Sequence, residues 1–309
     1  MLVTFLPAAL ILAALAAALL IAVPRYFYWL TVARKPTYQI NPGEANWLDS
    51  QATLDLWTEA RDSLKLHAYY VPAPGAGATA ILAHGYTGDS RQLGYMARIF
   101  HDKFGMNVLL PDARGHGQSE GHYIGFGWHE RLDLLLWMDR ARELGGGGDI
   151  ALFGISMGAA TVLMTSGEAV PPELRLVIAD CGYTSVQDEL NWQMKLRYRF
   201  SLPPLVRVVS RMAQRRAGYS FEEASALEQV KKSRVPTLFI HGEADTVVPF
   251  EMCGRLYDAC AAAKEIYTVP GAEHGAAYSV DAEQYEQRLA LFLEKYMPGF
   301  PTAPGKKAE

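Results

Sequence analysis

Ser156 lies at the centre of the run Gly154–Gly158, a glycine-x-serine-x-glycine pattern. The apolar segment Ile150–Phe153 precedes it and the small residues Ala159–Thr161 follow, an order that indicates a strand, a sharp turn and a helix. In such a turn the hydroxyl stands clear of the sheet at a helix N-terminus, and the glycines let strand and helix backbones approach closely. The pattern predicts a serine nucleophile; the alternative interpretation is a serine that only caps a helix.

A serine hydroxyl is a weak nucleophile at neutral pH, so Ser156 needs a base and an acid that orients the base. Asp245 follows the apolar run Pro236–Ile240, and His274 follows the run Glu265–Val269. Because the carboxyl ends of parallel strands meet at one edge of a sheet, we expect all three side chains to lie together. His274 is predicted to accept the Ser156 proton, and Asp245 to orient the imidazole and stabilise its charged form.

Other residues near these positions offer alternatives for the acid and the base. Glu243 and Asp180 also follow predicted strands, and each is an alternative acid. His84, His116 and His241 lie in loops beside the predicted site. We interpret these three histidines as hydrogen-bonding residues that organise loops, and His274 as the base.

Acyl transfer through a serine also needs N–H donors for the oxyanion. One is assigned to the backbone N–H of Met157, the residue after the nucleophile. The second is assigned to the backbone N–H of Tyr86, in the loop after the predicted strand Thr79–Ala83. The phenol of Tyr86 either contacts the leaving group or only packs.

A sheet with helices on both faces must position these groups. Strands are predicted at Ala52–Thr58, Leu64–Val71, Thr79–Ala83, Asn107–Pro111, Ile150–Phe153, Leu174–Ala179, Pro236–Ile240 and Glu265–Val269. Helices are predicted at Asp89–Phe104, Trp128–Leu144, Ser156–Gly167, Phe250–Ala262 and Asp281–Tyr296. The later strands are short and apolar, as in parallel strands covered on both faces, whereas the first two alternate and suit an antiparallel edge. The alternation predicts an α/β fold with a mostly parallel eight-stranded sheet.

Composition limits the function classes. The chain has 309 residues, half of them hydrophobic, and a net charge of −4, which suits one sizeable domain and gives no basic excess for nucleic acid. Its three cysteines, Cys181, Cys253 and Cys260, show neither a disulfide framework nor metal-ligand spacing. We predict no metal and no organic cofactor, and the sequence does not indicate an oligomeric state.

The N-terminal segment differs from the rest of the chain. Leu2–Val23 carries no charge and is long enough to cross a bilayer as a helix, and Pro24 and Arg25 end the run. The aromatic cluster at residues 26–29 follows where an interfacial belt would lie. The rival interpretation, a cleaved signal peptide, needs basic residues before the apolar run, and none is present. We predict a membrane anchor at 1–24, a connector at 25–50, a catalytic domain at 51–297 and a disordered tail at 298–309. Because basic residues follow the anchor and none precedes it, the positive-inside rule places the catalytic domain in the cytoplasm.

A helical insertion is predicted at about 184–232, where a lid over the site could be built. Between Lys195 and Arg216 it carries seven basic residues and no acidic one. Read as a helix from Pro204, the segment has its apolar residues on one face and its arginines on another. One interpretation is a lid whose charges are solvated; the other is a lid that lies on an anionic membrane surface.

Six motifs occur in order across roughly residues 50 to 296: His84–Gly88, Asp112–Ser119, Gly154–Gly158, Ala179–Ser185, His241–Pro249 and Gly271–Gly275. On these motifs the chain resembles bacterial α/β-hydrolases of the dienelactone-hydrolase and prolyl-oligopeptidase-like groups, and the membrane-anchored Bem46-type branch. The resemblance implies an α/β-hydrolase fold with a Ser-His-Asp triad, and leaves the substrate open.

We predict a carboxylic-ester hydrolase that works through an acyl-enzyme on a small-molecule acyl ester. A thioesterase or deacylase of lipidated substrates uses the same triad and is an alternative. A peptidase is a second alternative. A binding module without catalysis is the third, although such a module ordinarily lacks part of the triad, and all three members are present here.

Overall fold

The structure, a computed structural model, describes residues 5–36, 46–200 and 202–297. Its strands are β1 Leu54–Glu59, β2 Lys65–Val71, β3 Ala78–Ala83, β4 Asn107–Pro111, β5 Asp149–Ile155, β6 Leu174–Asp180, β7 Thr237–Gly242 and β8 Lys264–Val269. Its α-helices are α1 Phe5–Thr31, α2 Gly94–Arg98, α3 Glu130–Leu144, α4 Met157–Ser166, α5 Val186–Tyr198, α6 Pro203–Ala217, α7 Ala226–Val230, α8 Phe250–Ala259, α9 Ala277–Val280 and α10 Ala282–Tyr296.

All eight strands form one sheet, in the order β1-β2-β4-β3-β5-β6-β7-β8. β1 pairs with β2, and β2 with β4, in antiparallel fashion, and every other pairing is parallel. Every residue of β3, β4 and β7 is buried, whereas β1 at the edge is largely exposed. The predicted eight-stranded, mostly parallel sheet is confirmed, and so is its antiparallel first part.

Helices cover both faces of the sheet and enclose a separate apolar cluster on each. One cluster contains Trp137 of α3 and Leu163 of α4, together with the buried faces of α5 and α6. The other contains Phe100 and Phe292, from the segment after α2 and from α10. Since β3, β4, β5, β6 and β7 each contribute side chains to both clusters, the C-terminal ends of these strands are held at one rigid edge.

The helix predicted at Asp89–Phe104 is divided into three short pieces. A 3₁₀ turn at Ser90–Leu93 comes first, then α2, then a π-helical turn at Ile99–Lys103. The Asp89 carboxylate accepts the N–H of Arg91 at 3.0 Å, which caps the first turn. The N–H of Ser90 donates to the buried carboxylate of Asp112 at 2.9 Å. This bond ties the turn to the loop after β4, and the chain does not continue as a regular helix.

The N-terminal helix α1 continues past Pro24 to Thr31, so the segment predicted as a connector begins as helix. The chain after α1 is bonded to the catalytic domain: the N–H of Arg34 donates to the carbonyl of His122 at 3.0 Å, and Ile124 donates to Val32 at 2.7 Å. Within the described residues, one helix is long and apolar enough to cross a membrane. Only 6% of its most apolar stretch is buried against the rest of the protein. The predicted tail at 298–309 lies outside the described residues.

Three helices, α5, α6 and α7, lie between β6 and β7, where the helical insertion was predicted. α6 begins at Pro203, because proline fits the first turn of a helix, whose N–H groups have no partner within the helix. α6 buries Val206, Val209 and Ala213 and leaves its arginines exposed.

Candidate active site

Ser156 lies in the turn between β5 and α4 with φ 56° and ψ −115°, a backbone conformation that is strained for a residue with a side chain. Its N–H donates to the carbonyl of Asp180 at 2.8 Å, which holds the turn against β6. A Cβ on Gly154 would collide with the backbone of Gly158, and one on Gly158 with the carbonyl oxygens of Ala83 and His84. The two glycines are therefore required for α4 to start directly behind the strand.

The three residues predicted as nucleophile, base and acid meet at the edge of the sheet. His274 Nε2 lies 2.9 Å from Ser156 Oγ, and His274 Nδ1 lies 2.7 Å from Asp245 Oδ2. With an ionised carboxylate, Nδ1 carries the proton and donates it, which leaves Nε2 to accept the serine hydroxyl. In this arrangement the imidazole is oriented to take the proton from Ser156.

The environment of Asp245 keeps it ionised. Its Oδ1 accepts the N–H groups of Val247 and Val248, each at 2.9 Å, and His241 Nε2 lies 3.3 Å from Oδ2. Burial alone raises the pKa of Asp245, but hydrogen bonds from His241 and His274 outweigh it and lower the pKa to about 2. The carboxylate is thus charged throughout the neutral pH range.

The two alternative acids have other partners. Glu243 is exposed and accepts the hydroxyl of Thr268 at 2.9 Å. Asp180 is buried and accepts the phenol of Tyr285 at 2.8 Å, and burial raises its pKa to about 6. The carboxylate that contacts His274 is that of Asp245.

The neighbouring histidines hold loops. His84 bonds the carbonyl of Gly85 through Nδ1 at 2.8 Å and accepts the N–H of Ala113 at Nε2 at 3.0 Å. His116 donates from Nδ1 to the carbonyl of Arg114 at 3.0 Å. His241 Nε2 lies 3.0 Å from the carbonyl of Val248, within the loop that carries the acid.

The residues predicted for the oxyanion hole, Met157 and Tyr86, line the same cavity as Ser156. Met157 is the first residue of α4, and Tyr86 follows the glycine after His84. The phenol of Tyr86 donates to the carbonyl of Thr31 at 2.9 Å, and its ring stacks on Phe126. The side chain is therefore tied to the end of α1, while the backbone N–H role of Tyr86 remains a prediction.

A cavity of about 1320 Å³ opens above Ser156. Its walls come from the ends of α1 and α5 and from the loops after the strands. The lining includes Phe27, Leu30, Thr31, Tyr86, Phe126, Met157, Tyr183, Glu189, Leu190, Met194, Arg197, Tyr198, Val247, His274 and Tyr278. The size and the predominance of apolar side chains suit a substrate with a sizeable apolar part.

Sequence reasoning did not anticipate the contribution of α1 to this cavity. Phe27, Leu30 and Thr31 have the i, i+3, i+4 spacing of one helical face, and all three line the cavity. The aromatic residues at 26–29 were interpreted only as an interfacial belt. The spacing was visible in the sequence, but the neighbour that this face packs against was not.

Cys181, Asp245 and His274 each place a potential metal-ligand atom within 4.8 Å of the others. Both ring nitrogens of His274 are already hydrogen-bonded, one to Asp245 and one to Ser156. Burial also raises the pKa of the Cys181 thiol, which favours the protonated form over the thiolate that a metal needs. The donor set does not fit a metal site.

Glu189 of α5 is another residue of the cavity that sequence reasoning missed. It is buried, its Oε1 accepts the side-chain amide of Gln193 at 2.9 Å, and its Oε2 has no hydrogen-bond partner among the described residues. Burial raises the pKa of Glu189 to about 8, so the carboxyl is largely neutral at pH 7.

We expect Glu189→Gln to stabilise the protein at neutral pH and to have little effect near pH 4. Since the pKa rises from 4.5 to about 8 on folding, the folded state holds the proton more tightly and the wild type loses stability as pH increases through this window. The neutral amide avoids this loss, with a gain on the order of 3 kcal/mol at pH 7. Thermal unfolding from pH 4 to 8 measures it, with the exposed Glu251→Gln as control. A pH-independent difference would contradict the assignment.

The chain is similar to known proteins in sequence and in fold. Residues 75–220 match the family described as serine aminopeptidase, S33. The protein YqkD of Bacillus subtilis is 31% identical over 231 residues, covering 74% of this chain and 75% of YqkD. The protein bem46 of Schizosaccharomyces pombe is 24% identical over 238 residues, covering 75% of this chain and 74% of bem46. Among solved structures, the Pyrococcus furiosus esterase Pf2001 superposes with a TM-score of 0.68 at 22% identity, covering 84% of this chain and 99% of the esterase.

Proposed function

The chain is a hydrolase that belongs to the α/β-hydrolase superfamily, and we propose that it cleaves carboxylic esters through Ser156, His274 and Asp245. The observation that carries the proposal is the continuous hydrogen-bonded line from Ser156 through His274 to Asp245, at 2.9 and 2.7 Å. This line ends at the floor of a largely apolar cavity. Ester hydrolysis through it needs water as the only second reactant.

In the first half of the reaction, Ser156 Oγ attacks the ester carbonyl carbon while its proton moves to His274 Nε2. The C–O bond to the alcohol then breaks, and the leaving oxygen takes that proton. In the second half, water attacks the acyl-serine, gives a proton to His274, and the acid leaves as Ser156 regains its hydrogen. The net change is ester plus water to acid plus alcohol.

Two backbone N–H groups, of Met157 and Tyr86, are proposed to hold the oxyanion of each tetrahedral intermediate. Donors fixed before the reaction stabilise the developing charge without reorganising, and one such donor contributes about 10²–10³ in kcat. Met157 N–H is also the first N–H of α4, where the helix dipole favours negative charge.

An aminopeptidase is the second candidate, because the matching family is described by that activity. Glu189 lines the cavity, and its Oε2 atom, which has no hydrogen-bond partner among the described residues, is a group that an amine of a substrate could contact. Thioester hydrolysis and deacylation of lipidated molecules would use the same triad, and the same experiment tests them.

We also propose that α1 anchors the protein in a membrane with the catalytic domain in the cytoplasm. The apolar side chains from Leu10 to Val23 are exposed along the helix, and an uncharged helix of this length suits lipid. Arg25, Arg34 and Lys35 follow the apolar run, which favours a cytoplasmic position for the domain.

The proposal is tested by labelling the detergent-purified full chain with a fluorophosphonate and then assaying p-nitrophenyl esters of graded chain length. We expect a single adduct on the peptide that contains Ser156, and turnover that increases with acyl length until the cavity is filled. Parallel assays with p-nitroanilide amino acids and with acyl thioesters rank the alternatives. If the folded wild type is neither labelled nor active, the hydrolase proposal is overturned and the chain is assigned as a binding module without catalysis.

A further inference from the structure

We infer that the ester is taken from a lipid bilayer and reaches Ser156 past a lipid-facing rim made by the end of α1 and by the α5–α6 corner. The corner consists of residues 196–200 and 202. The inference names the substrate class, a membrane-resident acyl ester, and rests on the proposed ester hydrolysis.

The first observation is that the helix proposed to lie in the membrane is also a wall of the active-site cavity. Phe27, Leu30 and Thr31 line the cavity, and Thr31 accepts the hydroxyl of Tyr86. At a rise of about 1.5 Å per residue, Phe27 lies about 6 Å and Thr31 about 12 Å along the axis beyond Val23. The headgroup layer of a leaflet is about 5–7 Å deep, so the cavity wall begins where the bilayer ends.

The second observation is an exposed apolar surface at the α5–α6 corner. Leu196, Phe200 and Leu202 are 46%, 55% and 43% exposed. Large side chains exposed together at one chain reversal mark an interaction surface. Tyr198, in the same corner, lines the cavity and packs against Phe27 of α1 with ring centroids 6.2 Å apart. The corner and the end of α1 therefore form one rim beside the cavity.

The third observation fixes the depth of this rim. α6 lies along the last apolar turns of α1, since Val208 and Met212 face Leu20 and Ile21 across a small cavity of about 270 Å³. Arg215 and Arg216 line this cavity together with Pro24 and Arg25. These two arginines are exposed, as are Arg207 and Arg211 of the same helix. Pro24 and Arg25 come directly after the apolar run, so Arg215 and Arg216 beside them lie at the level of the headgroups. There each Lys or Arg contributes about 1 kcal/mol of attraction to anionic lipid.

A bilayer is the occupant that these observations favour. α1 already enters it, the corner continues that surface, and the charge on α6 complements anionic headgroups. An acyl ester in the outer part of the leaflet has its apolar chain among lipid and its carbonyl near the headgroups. Such a molecule can move along α1 into a cavity walled by Leu30, Leu190 and Met194 without crossing water.

The test uses the full chain in phosphatidylcholine–phosphatidylglycerol vesicles with two substrates, water-soluble p-nitrophenyl butyrate and p-nitrophenyl palmitate dissolved in the vesicles. In Phe200→Asp/Leu202→Asp we expect the ratio of palmitate to butyrate turnover to fall about tenfold or more, because a charge at the corner opposes contact with lipid. Leu291→Asp on α10 is the matched control: Leu291 is 52% exposed and lies on the opposite face of the sheet. Its ratio should equal that of the wild type.

A second measurement does not depend on turnover. An environment-sensitive dye is attached to Phe200→Cys or to Leu291→Cys, since the three native cysteines are buried. A lipid-borne quencher should quench the dye at 200 strongly and the dye at 291 weakly. If butyrate is cleaved while the ratio is unchanged and both dyes quench equally, the bilayer inference is overturned and ester hydrolysis stands. If neither ester is cleaved yet the dye at 200 is quenched, the hydrolase proposal fails and the rim stands.

Discussion

Ser156→Ala is expected to lower kcat/KM for p-nitrophenyl butyrate by about 10⁴-fold or more and to abolish fluorophosphonate labelling. The hydroxyl is the group that forms the acyl bond, and no neighbouring hydroxyl shares its position at the turn between β5 and α4. His274 would remain bonded to Asp245 but would have no proton to accept. Residual turnover would come from the oxyanion donors and the cavity alone.

The matched control is Ser166→Ala. Ser166 is buried on the same helix, α4, and its hydroxyl donates to the carbonyl of Leu163 at 2.8 Å. Removing it changes a buried serine without touching the cavity, so we expect activity within about twofold of the wild type, as for substitutions remote from the reacting groups. Activity that survives in Ser156→Ala would assign the nucleophile to another residue.

The parts of the structure that follow local rules were predictable from the sequence. Short apolar runs bounded by Gly, Pro or Asp indicated the last six strands, because parallel strands covered on both faces have that composition, and alternating runs indicated β1 and β2. The contact of Ser156 with His274 follows from the same rule, since each residue comes directly after a strand of one parallel sheet. Chain order then indicated Asp245, and that side chain does contact His274.

The parts that depend on contacts between distant segments were not predictable. Pro24 suggested an end to the N-terminal helix, but Pro24 is buried and the helix continues to Thr31. What holds the following turns is packing against α6 and the hydrogen bond from Tyr86 to Thr31, and neither has a local signature. Glu189 was missed for the same reason. An acidic residue in the first turn of a helix is ordinarily exposed to solvent, and Glu189 is buried only through contacts with distant parts of the chain.

The second large effect is expected for Asp245→Asn, about 10⁴-fold in kcat with little loss of substrate binding. The reason lies in how the carboxylate is held. Oδ1 accepts the N–H groups of Val247 and Val248, so the amide oxygen of the asparagine must take that position. Its NH₂ group then faces His274 Nδ1, which becomes an acceptor and places the ring proton on Nε2. In that tautomer Nε2 cannot take the proton of Ser156.

Glu243→Gln provides the matched comparison, because Glu243 precedes Asp245 by two residues in the same loop but is exposed and bonds Thr268. Its kcat should stay within about twofold of the wild type. Because the loss in Asp245→Asn comes from the wrong histidine tautomer, we expect its activity to recover as pH rises, when hydroxide can replace the histidine as base. The corresponding measurement is kcat against pH from 6 to 10 in both variants. Equal losses in the two variants would mean that the loop has been disturbed, whereas loss confined to Asp245→Asn assigns the orientation of His274 to that carboxylate.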